Sequence, residues 1–138
     1  MIVLASAAFS AVGCGPVWYL DPDFGERLAA EKNKPMLIYF KVWDSSLHRN
    51  MKLEVLENSA VKRELVDMVN VELEFAYFAE QRQKYGVQRP QVCVVCNSRG
   101  ERVSTPISVN PVPSVEVFVE WLRKAKAEAL GVSTQPAS

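Results

Sequence analysis

The stretch KPMLIYFKVWDSSLHRNMKLEVL, residues 34–56, decides which fold this sequence predicts. Residues 36–40 form a continuous apolar run that follows turn-forming residues, which is the pattern of a strand buried on both faces. Apolar residues then recur at every fourth position from Leu47 to Val55 and predict a helix over residues 45–57. A buried strand joined directly to an amphipathic helix indicates an α/β fold.

Upstream of this stretch the sequence predicts a first helix. Asp21 is a good N-cap and Pro22 suits the first helical position, where its missing N–H costs nothing. We expect one apolar stripe on this helix, formed by Phe24, Leu28 and Ala29.

Downstream, strands and helices continue to alternate. We predict a turn of helix capped by Asn58 or Ser59, a strand over 68–73, a helix over 77–85, a strand over 92–95, a turn at 97–100, a strand over 101–109 and a last helix capped by Ser114. Strands joined through helices run parallel, whereas the last two form an antiparallel hairpin. The sequence therefore predicts a mixed sheet with helices on both faces.

Several short motifs in this order resemble a known family. They are KPMLIYF at 34–40, Trp43, Met51 with EVL at 54–56, KYGV at 84–87, RP at 89–90 and the turn at 97–100. Their order and spacing are similar to those of the exported bacterial thioredoxin-like proteins, over about residues 17–128. The resemblance implies an α/β thioredoxin-like fold, with a central mixed β-sheet flanked by helices on both faces.

The resemblance places the family's cysteine pair on residues that carry no sulfur. Aligned on Trp43, the nucleophilic cysteine falls on Asp44 and the resolving cysteine on Leu47. Thiol–disulfide exchange needs a thiolate that attacks and a second thiol that releases the mixed disulfide. We therefore predict a degenerate redox site without catalytic residues, formed by Trp43, Asp44, Ser45, Ser46 and Leu47, in which Asp44 and Ser45 cap the helix.

The resemblance also implies a groove at Arg89, Pro90 and Gln91, with a cis bond before Pro90. In the family the residue before this proline lies beside the cysteine pair. Arg89 is thus expected either to form an ion pair with Asp44 or to point towards solvent or a partner protein.

Cys93 and Cys96 have C-x-x-C spacing, but they lie in an apolar strand and not at the start of a helix. Residues i and i+3 of a strand are ~10 Å apart on opposite faces, too far for a disulfide. We predict two structural thiols, at least one of them buried. His48, the only histidine, is expected to face solvent on its helix, so no metal site is predicted.

The N-terminal residues 1–13 are uncharged and apolar, as in a signal peptide, and AVGC at 11–14 resembles a bacterial lipobox. Lipidation of Cys14 would anchor the chain to a membrane in the bacterial periplasm. A plain signal peptide and a buried N-terminal segment remain alternatives. We assign 14–20 as a tether, 21–131 as the domain and 132–138 as a disordered tail.

Composition narrows the function further. Sixteen Lys and Arg balance sixteen Asp and Glu, which disfavours nucleic acid as a partner. No Gly-rich phosphate loop or dinucleotide fingerprint occurs, so no cofactor is predicted. Three functions remain: a redox-inactive domain for protein binding or complex assembly, an oxidoreductase or isomerase using Cys93 or Cys96 as an atypical thiol, and a purely structural subunit of a membrane complex.

Overall fold

The computed structural model describes residues 15–131, so the signal-like segment, Cys14 and the C-terminal tail lie outside the described residues. Within that range five strands form one sheet in the order β1-β3-β2-β4-β5. The strands are β1 Trp18–Tyr19, β2 Met36–Lys41, β3 Val69–Glu74, β4 Val92–Cys96 and β5 Ile107–Ser108. β1 and β2 run parallel to β3, whereas β4 is antiparallel to β2 and to β5. The predicted mixed sheet is confirmed.

Helices cover both faces of this sheet. They are α1 Pro22–Lys32, α2 Ser46–Asn50, α3 Ser59–Leu65, α4 Ala79–Tyr85 and α5 Val115–Ala129. Three predicted caps are confirmed: Asp21 begins α1, Asn58 begins α3 and Ser114 begins α5, each with its side chain accepting a backbone N–H. α3 and α5 pack over one face, and α1 and α4 over the other.

The central strand β2 explains why both faces must be covered. Leu37 and Tyr39 point into one core, while Met36, Ile38 and Phe40 point into the other. All five side chains are almost completely buried. A strand of this kind is stable only between two layers of helix.

The predicted helix over 45–57 changes type midway. α2 ends at Asn50 and is followed by a π-helical segment, Met51–Leu56. The wider turn lets Met51, Val55 and Leu56 all reach the core, although they do not share one regular α-helical stripe.

The buried face of α1 differs in part from the prediction, since Ala29 is buried as expected but Phe24 is not. Phe24 is exposed and Leu28 half-buried, whereas Gly25 faces the sheet. A Cβ at Gly25 would lie 2.6 Å from Val71 Cγ2, so only glycine allows this close approach between helix and strand. The contact depends on the register of two distant segments, which helical periodicity does not report.

Two strands also differ from expectation. Trp18 and Tyr19, which belong to the predicted tether, form β1 beside β3. The predicted strand over 101–109 shrinks to an isolated bridge at Arg102 and the two residues of β5. Between them Ser104 Oγ accepts the Val95 N–H at 3.0 Å, so a side chain replaces the missing ladder bond there.

Candidate functional site

The candidate site lies where β2 ends, α2 begins and the chain enters β4. Trp43 and Asp44 form the turn after β2 and are exposed, whereas Ser45 and Leu47 are half-buried and Ser46 is exposed. The main chain of this turn is tied to β3, because Glu74 Oε1 accepts the Trp43 N–H at 2.7 Å.

Ser45, and not Asp44, caps the helix. Ser45 Oγ accepts the His48 backbone N–H at 3.0 Å. Asp44 has a left-handed conformation with φ +60°, and its carboxylate bonds Arg49 and no backbone N–H of α2, so the prediction that it also caps is wrong. The residue at the mouth of α2 is therefore Ser45, and the position three residues on is His48.

The partner of Asp44 also differs from the prediction. Asp44 Oδ1 accepts a bond from Arg49 Nη1 at 3.4 Å, and both side chains are mostly exposed. Arg89 is exposed and forms no ion pair with Asp44, so the second of the two predicted alternatives, an Arg89 that points towards solvent, fits the structure. Arg49 lies on α2 only five residues after Asp44, so the contact is local in sequence. Arg89 lies in the loop before β4, which is distant in sequence from Asp44.

The backbone of the loop before β4 differs from the expected cis conformation. Among residues 15–131 the cis peptide bond is Asn110–Pro111, so the prediction of a cis bond before Pro90 is wrong. Instead Gln91 takes φ +64° and donates its backbone N–H to Phe40 O at 2.7 Å. The left-handed residue redirects the chain into β4.

Gln91 also contacts the start of α2. Its Nε2 donates to Ser45 Oγ at 3.2 Å, and the residue is only 8% exposed. Arg89 and Pro90 remain exposed beside it. The Gln91 amide therefore joins the loop before β4 to the start of α2.

His48 is turned inwards, contrary to the expectation that it faces solvent. Its Nδ1 lies 3.1 Å from the hydroxyl of Tyr39, which is fully buried in β2. Burial, together with the positive charge of Lys41, lowers the pKa of His48, and burial raises the pKa of Tyr39. The ring is thus engaged with Tyr39, while Ser45 Oγ contacts only the backbone of His48, so the two do not form a nucleophile–base pair.

Cys93 and Cys96 are both free, as predicted, and both are buried, whereas the prediction required this of at least one. Cys93 points into the core under α3 and α5, and Cys96 into the core under α1 and α4. Burial raises the pKa of both thiols, that of Cys96 to about 12. Neither sulfur lies at a helix mouth, and neither is a thiolate at neutral pH.

Sequence reasoning missed a charged cluster beside Trp43. Lys41 is 7% exposed, its Nζ bonds Glu72 Oε1 at 2.7 Å, and the same Nζ lies 5.0 Å from the centre of the Trp43 ring. The only sequence signal for this cluster was that a lysine, Lys41, ends an otherwise apolar strand. The pairing itself spans 31 residues and depends on the register of β2 with β3.

The described residues 15–131 contain no group of three or more histidine, cysteine or acidic side chains arranged to hold a metal ion. In the same range, no helix combines the length and apolarity needed to span a membrane.

Several solved structures of other proteins are similar in fold to this chain. No protein-family model and no curated protein matches the chain. Among solved structures it is similar to the DsbH oxidoreductase, with TM-score 0.69, 16% identity and coverage of 89% of this chain and 90% of that one. It is also similar to a thioredoxin from Thermus thermophilus, with TM-score 0.66, 19% identity and coverage of 80% and 87%.

A third similar structure is the oxidised DsbD C-terminal domain of Neisseria meningitidis, with TM-score 0.64, 19% identity and coverage of 79% of this chain and 99% of that one. At these identities the likeness concerns the fold alone. The chain has an α/β thioredoxin-like fold, as the sequence predicted.

Proposed function

We propose that this thioredoxin-like domain carries out no thiol–disulfide exchange and instead serves protein binding or complex assembly in the bacterial envelope. The observation that carries the proposal is that the side chains at the mouth of α2 are not thiols. Ser45 and His48 stand there, each already engaged in a hydrogen bond, while Cys93 and Cys96 are buried in β4. A serine cannot form the mixed disulfide that the exchange reaction requires.

Exposed apolar side chains support a binding role. Trp43 is 70% exposed, Tyr77 82% and Leu20 65%. These three residues line one cavity, and large apolar side chains grouped on a surface mark interaction sites. The proposed binding surface is therefore centred on Trp43 and Tyr77.

The envelope location is the second part of the proposal. It rests on the signal-like residues 1–13 and on Cys14 as the site of lipid attachment. Mass spectrometry of the protein from membrane fractions tests it: an acylated N-terminal Cys14 supports the anchor, and an intact Met1 overturns it.

Insulin reduction by dithiothreitol tests the missing activity. The wild-type chain is expected to leave the uncatalysed rate unchanged. Activity that is present in wild type and lost in a folded Cys93→Ser or Cys96→Ser variant would establish the alternative, an oxidoreductase or isomerase with an atypical thiol. Circular dichroism of each variant separates loss of chemistry from loss of fold.

Affinity capture from detergent-solubilised membranes tests the binding role. We expect one stoichiometric partner with wild type, retained by Val117→Ala on α5 and lost by Trp43→Ala; Val117 is also exposed but lies on another element. A partner held equally by both variants would favour a structural subunit that binds through another surface. Mixed-disulfide clients trapped through Cys93 or Cys96 would overturn the proposal.

A further inference from the structure

A cavity of about 420 Å³ opens at the carboxyl ends of β2 and β3, next to the turn after β2. Its apolar walls are Trp43, Tyr77, Phe78 and Leu20, and its polar walls include Glu72 and Glu74. We call it the Trp43–Tyr77 pocket. Tyr77 belongs to a short 3-10 turn, Phe75–Tyr77, that follows β3, so two loops from neighbouring parallel strands form the opening.

The aromatic rings of this pocket are available to a ligand. Trp43 and Tyr77 are mostly exposed, whereas Phe78 is half-buried. The face of an indole or phenol ring is negative and attracts cations within about 6 Å of its centre. The Trp43 ring already has such a neighbour, since Lys41 Nζ lies 5.0 Å from its centre.

The acidic side chains that line the pocket outnumber the basic ones. Lys41 neutralises Glu72 across a 2.7 Å ion pair. Glu74 forms no ion pair with any side chain of residues 15–131, and its Oε1 is held in place by the Trp43 N–H. The pocket therefore carries one uncompensated carboxylate, fixed in position beside an exposed indole ring.

We infer that the Trp43–Tyr77 pocket binds the guanidinium group of an arginine on the protein partner. A guanidinium is planar, so it stacks on an aromatic face while its N–H groups bond a carboxylate. Glu74 and Trp43 supply these two contacts side by side. A lysine ammonium is a compact, strongly hydrated charge and uses the ring less well. This inference rests on the proposed binding function and names what that surface recognises.

The test is an NMR titration of the purified, ¹⁵N-labelled full chain with N-acetyl-arginine amide, following the indole N–H signal of Trp43. We expect a saturable shift, and at least a tenfold weaker response to the citrulline amide, which has the same shape without the charge. Glu74→Gln keeps an oxygen to accept the Trp43 N–H but removes the charge, so it should weaken arginine binding at least tenfold. Glu116→Gln on α5 makes the same change of net charge elsewhere and should leave binding unchanged.

Three outcomes overturn the inference: no saturable shift with the arginine amide, equal responses to arginine and citrulline, or equal binding by wild type and Glu74→Gln. A tighter response to tetramethylammonium than to the arginine amide would also overturn it, because the pocket would then be a cage for small quaternary ammonium ions. Different results would reject the proposed function. Insulin reduction dependent on Cys93 or Cys96 would reject the binding role whatever the pocket takes up, whereas a Trp43-dependent partner that is captured without arginine recognition would reject only the pocket.

Discussion

The middle of β4 and the turn that leads into α2 differ in the two things that thiol chemistry needs, a sulfur atom and access to it. β4 has the sulfur but no access, since Cys93 and Cys96 are buried on opposite faces of the sheet. The mouth of α2 is at a helix N-terminus and only half-buried, but Ser45 and His48 stand there. The comparison teaches that the position of a thiol, and not the C-x-x-C spacing, decides its chemistry.

The largest expected effect concerns the reactivity of the β4 thiols. In a Cys14→Ser chain, Cys93 and Cys96 should react with a thiol reagent only when the domain opens. A domain with a free energy of unfolding of at least about 5 kcal/mol slows that reaction at least ~1,000-fold relative to the chain in urea. Stopped-flow absorbance with an aromatic disulfide measures both rates, and similar rates in buffer and urea would contradict the burial of these thiols.

The next effect follows from moving a carboxylate into β4. Cys93→Asp places a charge where the wild-type side chain is completely buried, and should lower the free energy of unfolding by about 3 kcal/mol or more. Urea denaturation followed by fluorescence measures the change. Cys93→Ala is the matched control and should cost less, because it leaves a small cavity without a charge.

Moving the thiols into the turn tests the other half of the comparison. Ser45→Cys with His48→Cys puts a cysteine at the mouth of α2 beside Gln91, and insulin reduction should rise at least ~10-fold above the wild-type background. Asp44→Cys with Leu47→Cys, the pair that the alignment on Trp43 selects, should stay near background, because residue 44 precedes the N-cap Ser45 and has a left-handed conformation. Greater activity of the second pair would restore the original alignment.

A smaller effect separates the two capping candidates. Ser45→Ala removes the bond to the His48 N–H and should lower the free energy of unfolding by ~1 kcal/mol. Asp44→Ala removes only an exposed ion pair with Arg49 and should cost less than ~0.5 kcal/mol. Chemical denaturation of both variants decides, and a larger loss from Asp44→Ala would show that Asp44 is the true cap.

The smallest effect is a dependence of stability on pH. Burial and Lys41 lower the pKa of His48 in the folded chain, so below its unfolded value of about 6.5 the unfolded state binds more protons. Stability from this group is complete above that value and falls as the pH drops through it. The slope of unfolding free energy between about pH 7.5 and about pH 5.5 should be shallower in His48→Gln. Equal slopes would show that other groups dominate.

Much of the fold follows from local patterns. The apolar run at Met36–Phe40, the caps Asp21 and Ser114 and the end of the predicted helix at Tyr85 each depend on neighbouring residues, so the sequence predicts them directly. The same is true of the β4 thiols, because alternation along an apolar strand already places them away from each other and from any helix start.

The site depended on interactions that local patterns do not contain. The residue at the mouth of α2 is Ser45, one residue after the Asp44 that the alignment on Trp43 selects. This difference follows from the left-handed conformation of Asp44. The contacts of Lys41 with Glu72 and of Gln91 with Ser45 join segments 31 and 46 residues apart.

By itself, then, the sequence determined the order of strands and helices and the placement of sulfur inside the sheet, because hydrophobic periodicity selects which face is buried. Tertiary structure alone decided which side chain lies at the mouth of α2, the inward turn of His48 and the uncompensated carboxylate beside Trp43. Each of these depends on strand register and on the path of a turn, and both are set by packing between distant parts of the chain.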